Sequence, residues 1–333
     1  MSSGSSSSST CSAVTGGFEA ISTEINHGVD PITGVGKIWA CLQVGIDAAG
    51  RNNVAVKLVL TSGTPKCVTL EVADPTKASA SLGAWSGSQA TVTIEGLAST
   101  ENTTSGPTGV EVRAKNAAEV VARFQVMVLP FVSRTFSSYA VSDPRRPSGC
   151  TSGFTPPTGT AVGTVLNDVY NRQGCIGFTL HEEAAKSLDY DDNDDCALSV
   201  NKDYDGQDET VAFSSPGWTG ADYYAAWVKK SAMYQSLGCP SYSSNNPPAR
   251  GIQAGSSSTK IGVVAIQDAG SEASLGIAHE FGHWFGMDHY AGSFPSGTLP
   301  LMRSGYTDQC QYQDIGYWLT KDEWYQIYKA NNQ

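Results

Sequence analysis

Charge is scarce in this chain of 333 residues, where Asp, Glu, Lys and Arg together make up only 16%. Positive charge is scarcer still: 21 Lys and Arg stand against 32 Asp and Glu, a net charge of −11 at pH 7. That balance argues against nucleic acid or an anionic lipid surface as partner. Long apolar runs are also missing. None approaches the ~18 residues of a membrane-spanning helix, so no transmembrane segment is expected. No two of the 8 cysteines form a CxxC pair, which disfavours zinc ribbons and thioredoxin-type redox sites. Histidine is rarer than any of these, with 5 in the whole chain.

What is present is enough apolar material, 40%, to bury real cores, and a length that suits two domains. An even number of scattered cysteines in a Ser/Thr/Gly-rich chain fits disulfides and an oxidising compartment. The expectation is an extracellular protein, secreted or tethered to a cell surface. The opening MSSGSSSSST has neither the basic nor the apolar region of a signal peptide. It reads as a flexible tether left after removal of an export signal, or as an artificial linker; residues 1–29 are assigned to this lead-in.

Residues 30–130 read as strands and turns. Val54, Val56, Leu58 and Leu60 alternate with polar or small neighbours, as do Val68, Leu70 and Val72. Thr91–Leu97 and the series Ala122, Phe124, Val126, Val128 repeat the pattern. Period-2 alternation between Gly/Ser/Asn/Asp turns predicts an antiparallel β-sandwich, Ig-like in class. Cys41 and Cys67 fall on the polar phase of two such strands and can pair. Residues 131–160, including SDPRRPSGCTSGFTPPTGT, are rich in Pro, Ser and Gly and read as a linker.

Residues 161–333 mix helix and strand, an α/β or α+β domain. Val162, Val165, Leu166, Val169 and Tyr170 mark one helix face that stops at Gly174. Cys175–Leu180 reads as a short strand, 221–237 as a second helix, and Ile261–Gln267 as a strand. A helix capped by Ser271 runs to Phe285. Thr320 and Glu323 form a capping box ahead of Trp324, Ile327 and Tyr328.

Three of the 5 histidines fall within residues 279–289, HEFGHWFGMDH. His279 and His283 are four apart and share a helix face. Gly286 can end the helix in a left-handed conformation and bring His289 back as a third ligand. Three neutral imidazoles suit Zn²⁺ with one position left for water, whose pKa the metal lowers toward ~7. Glu280, beside the first ligand, is placed to take that proton and return it to a leaving amine. Together these parts describe peptide hydrolysis without a covalent intermediate. The pattern arises by chance roughly 10⁻⁵ times per sequence of this composition.

This window resembles the metzincin clan of zinc metallopeptidases, whose motif is HExxHxxGxxH followed by a methionine turn. AHEFGHWFGMDH and MRSGYTDQC are most similar to the pappalysin-like group. The resemblance covers about 160–333. It implies that Met302 lies beneath the metal, that LTKDEWYQIY is the clan's last helix, and that IGVVAIQ is the edge strand along which substrate backbone is laid. Several relatives carry a tyrosine two residues after the methionine. Here that position is Ser304, and Tyr306 either takes the role in a longer turn or is structural.

DYDDNDD (Asp189 onward) and DYDGQDE (to Asp208) cluster carboxylates around a Gly turn; they are a Ca²⁺ loop or a solvated acidic loop. His181 is followed by Ala185 where a second ligand would stand, and His27 has no partner, so both read as structural or surface. Cys175–Cys196 and Cys239–Cys310 are further candidate pairs, which leaves Cys11 and Cys150. Asn102-Thr103-Thr104 is a glycosylation sequon.

Two functions fit. One is a zinc endopeptidase acting on a protein or peptide, including glycoproteins. The other is an adhesion or binding protein whose zinc site is silent. Glu280 separates them, because a structural zinc site has four protein ligands and no use for a base.

Overall fold

The computed structural model describes residues 11–21, 29–30, 32, 39–44, 52–102, 104–144, 154–190, 197–200, 209–214, 217–233, 251–303 and 314–332. The chain divides into two compact units, Met1–Pro130 and Phe131–Gln333.

The first unit is made of strands. β1 (Thr15–Ala20), β4 (Asn53–Ser62), β7 (Gln89–Gly96) and β6 (Ala78–Ser86) form one antiparallel sheet in the order β1-β4-β7-β6. β2 (Val29–Asp30), β3 (Trp39–Gln43), β9 (Glu119–Leu129), β8 (Val110–Asn116) and β5 (Val68–Val72) form a second, in the order β2-β3-β9-β8-β5. One pair in it, β3 with β9, is parallel, so the sandwich expected to be wholly antiparallel is not. The alternation read from the sequence faces inward. Val54, Val56, Leu58 and Leu60 of β4, Val92 and Ile94 of β7, and Ala122, Phe124, Val126 and Val128 of β9 share a single hydrophobic cluster.

Two expectations are corrected here. Residues 15–20 are not part of a tether: β1 pairs with β4 over its whole length. Cys67 bonds Cys11 and not Cys41, which is itself buried on β3. The bond also removes the Cys11–Cys150 leftover pair. Cys150, Cys196, Cys239 and Cys310 lie outside the described residues, and their pairings with them.

The second unit centres on a five-stranded sheet of order β11-β10-β13-β16-β15. Its strands are β10 (Val132–Ser142), β11 (Ile176–Ser187), β13 (Tyr223–Val228), β15 (Gly251–Ser256) and β16 (Thr259–Ala265). All neighbours are parallel except β15 and β16. β12 (Ala197–Val200) and β14 (Lys230–Met233) make a separate parallel pair. The longer helices are α1 (Gly159–Leu166), α2 (Ala273–Trp284) and α3 (Lys321–Asn331).

The sheet is covered on both faces. Tyr170, Phe178, Tyr223, Phe281 and Phe285 stack against one another on the face that carries α1 and α2. Tyr139, Val141, Trp218, Tyr224, Ala226, Val228, Ile261 and Val263 pack on the other.

This double burial accounts for the places where sequence pattern and structure differ most. All six residues of β13, YYAAWV, are buried, so the segment expected to begin a helix over 221–237 shows no polar face at all. β10 lies inside the span expected to be a linker. Its serines 137 and 138 are buried, and Ser138 Oγ accepts the indole N–H of Trp227 at 2.8 Å. The strand expected from Cys175 to Leu180 runs on to Ser187. The strand expected over Ile261–Gln267 ends at Ala265, and it is not an edge: β15 lies outside it.

α1 begins at Thr158, whose hydroxyl caps Ala161 N, and continues past Leu166 through a π-turn over Asn167–Asn171. Its left-handed terminus falls on Cys175 (φ 58°) rather than on Gly174. The capping box of α3 is present, with Thr320 Oγ1 accepting Glu323 N and the Glu323 carboxylate accepting Thr320 N. Among the described residues no helix is long and apolar enough to cross a membrane.

Candidate metal centre

α2 supplies two imidazoles, and the turn after it supplies the third. The helix gives way at Phe285, and Gly286 adopts φ 79°, a conformation that suits only glycine without strain. The Phe285, Gly286 and Met287 amides fold back onto the carbonyls of Gly282 and His283. The chain then reverses and carries His289 over the helix end.

One ring nitrogen each from His279, His283 and His289 lies within 4.8 Å of the others. His279 Nε2 and His289 Nε2 are 3.2 Å apart, close to the ~3.3 Å that two nitrogens on a tetrahedral zinc would show at ordinary bond lengths. The ring of His283 stands nearly edge-on to His279, at 87°.

Each helical histidine is oriented from behind. His279 Nδ1 lies 2.7 Å from the carbonyl of Leu301, and His283 Nδ1 lies 2.8 Å from the carbonyl of Met287. A carbonyl can only accept, so each Nδ1 carries the proton and each Nε2 keeps its lone pair free. This is the arrangement metal-bound histidines generally show. Burial, aided by His283 and His289, pushes His279 down to about 3, against the pull of the Leu301 carbonyl. Burial and His283 also lower His289. Neutral imidazoles are the form a cation needs.

Met302 is fully buried beneath α2, where a side chain on Gly282 would run into its sulfur. The segment around Met302 holds both ends of the site. Leu301 accepts from His279, Leu301 N donates to Trp318 O at 2.8 Å, and Met302 O accepts from Tyr290 N at 2.6 Å, next to His289. Tyr170, on the π-turn, donates its hydroxyl to the carbonyl of Ala278, one residue before His279. Burial holds that phenol well above its ordinary pKa, so it stays a donor.

Glu280 is buried on the same helix, on the side of β15 and β16. Burial pushes its carboxyl up to about 8; a bound dication works in the opposite direction.

The sequence motif therefore brings together His279, His283 and His289, with Glu280 on the same helix and Met302 below. The backbone partners Leu301 and Met287, and the phenol of Tyr170, leave no trace in the side-chain pattern. Phe285 is buried and Trp284 half-buried, its indole donating to Ile261 O at 3.1 Å. His181 stands apart, at the irregularity where β11 slips against β10. Tyr306, His27 and most of the Asp189–Asp208 segment lie outside the described residues. The donor set fits a metal ion; three imidazole nitrogens favour no hard cation such as Ca²⁺.

No known family profile matches the chain, and no curated protein does. Among solved structures, it is similar to domains 4 and 5 of the S-layer protein SbsC. The two are 17% identical over 31% of this chain and 53% of that one, with a TM-score of 0.20. The match spans about half of that structure and is too loose to inform fold or function.

Proposed function

We propose that this chain is a zinc-dependent endopeptidase of metzincin type, with His279, His283 and His289 as ligands and Glu280 as general base and acid. The observation that carries the reading is the orientation of the histidines: two Nδ1 atoms are tied to backbone carbonyls and one ring nitrogen from each of the three converges, with a buried glutamate next to His279 in the helix.

A zinc ion in this cradle would supply a Lewis acid that polarises a substrate carbonyl and acidifies a water. The chain's own residues do the rest. Leu301 and Met287 fix the tautomers. Glu280 takes a proton from the attacking water and hands it to the departing amide nitrogen. The peptide C–N bond breaks, hydroxide adds to the acyl carbon, and the proton ends on the new amine, so no covalent enzyme intermediate is needed. Met302 fills the space under the helix and keeps water from that side. The Cys11–Cys67 disulfide supports an extracellular setting. Tyr306 is proposed to stabilise the developing oxyanion.

The test is zinc content paired with digestion of a denatured protein mixture by the wild type and by Glu280→Ala. One zinc per chain in both, with cleavage by the wild type reduced about 10²–10⁴-fold or more in the variant, is the expected result. Zinc without cleavage by either protein would transfer the reading to a binding protein with a silent site. A folded protein that takes up no zinc would end it.

A further inference from the structure

We propose that Gly251, at the start of β15, is a positioning residue for Glu280: the missing side chain there is the space in which the Glu280 carboxylate lies. The inference rests on the role of Glu280 proposed above.

Two glycines flank the glutamate. A Cβ on Gly262 would come 3.0 Å from the Cβ of Glu280 and 3.3 Å from the Phe281 ring, so it would press on the helix as a whole. A Cβ on Gly251 would come 2.8 Å from Glu280 Oε1, one of the two carboxylate oxygens. Its other neighbours, Val263 O and Val264 Cγ2, are both 3.2 Å away, a distance that small shifts relieve. Gly251 is not among the left-handed glycines, so alanine meets no backbone strain there. β15 is an edge strand, and Gly251 pairs with Val264 of β16, whose side chain faces α2 where a Cβ on Gly276 would meet it at 3.2 Å. The strand is thus fixed relative to the helix, and an added methyl group must displace the carboxylate rather than the strand.

Displacement of this kind is costly for chemistry and cheap for binding. A shift of about 1 Å in a reacting group can remove about 10²-fold in rate. The ligand nitrogens are not touched, so metal uptake should survive.

The experiment uses the full-length zinc-loaded protein and four forms: wild type, Gly251→Ala, Glu280→Ala and the double variant. Gly251→Ala should bind zinc within about 3-fold of wild type, lose about 10²-fold in kcat and keep KM within about 3-fold. Its melting temperature should fall by several degrees on the wild-type background. On the Glu280→Ala background, where the carboxylate is gone, most of that fall should vanish. If Gly251→Ala fails to fold while the double variant folds, the contact is likewise supported. Equal falls on both backgrounds, failure of both to fold, or an unchanged kcat would overturn the proposal. A wild type that cleaves nothing would remove the peptidase reading, and the thermal cycle would still decide where the carboxylate lies.

Discussion

In the first unit polarity and burial follow the pleat of the strands; in the second they part company. β7 reads exposed and buried in strict alternation, and its apolar residues are the buried ones. Most charges there are partly exposed, as in the Glu71 pairs with Arg113 (2.9 Å) and Lys115 (2.8 Å), which contribute little to stability; Asp30 is a buried exception, as is Asn116 among the uncharged polar groups. The second unit buries a larger set, among them Ser137, Ser138, Gln173, His279, Glu280 and Glu323. Burying such groups costs free energy unless each finds a partner. Several do, across long stretches of sequence: Gln173 bonds Tyr317 O and Leu319 N, and His279 bonds Leu301 O. The difference teaches where function is to be sought. The buried polar groups of the second unit include His279 of the three-histidine cluster, and among the described residues the first unit gathers no such set of ligands.

Four measurements would break or sharpen that contrast. The largest effect belongs to His279→Ala, which should abolish metal uptake and peptidase activity together, while amide protection over residues 53–129 stays as in the wild type. Loss of protection in both units would break the comparison. Next is chelation. A ligand that binds only the folded state at about 1,000 times its Kd adds about 4 kcal/mol, so calorimetry should show the second unit's transition falling by about 10 °C and the first unmoved. Third, Cys11→Ser opens a loop with a sequence separation of 56 and should cost the first unit about 2–4 kcal/mol in denaturant titration, with zinc stoichiometry unchanged. The smallest concerns Glu101, whose carboxyl is raised above 4.5 by burial, against hydrogen bonds from Thr108 and Thr100. A raised folded-state value means that the folded unit binds the extra proton. Its stability should therefore fall as pH rises from about the unfolded value through the folded one. Glu101→Gln should flatten that slope and leave the second unit untouched.

How much of this is legible in the sequence follows from the same contrast. Where one face of a strand meets solvent, as in β4 and β9, the period survives and places both strands within a few residues. β13 has no solvent face, and β10 is buried from Phe136 to Tyr139. Without one, β13 reads as a featureless apolar run, and the serines of β10 read as loop. The histidine motif is legible because its spacing is helical and its residue type is rare. Its supports are not, because Leu301 and Met287 act through backbone carbonyls that any residue carries. The role of Gly251 is the absence of a side chain, which a sequence pattern cannot distinguish from a turn.

The order in which the chain is made gives the Met302 segment a further meaning. A ribosome delivers His279, His283 and His289 first, then the carbonyl at position 301 that aligns one of them, and last the carbonyl of Trp318 that holds position 301 in place. A nascent or prematurely terminated chain can therefore carry every ligand and still lack an oriented site.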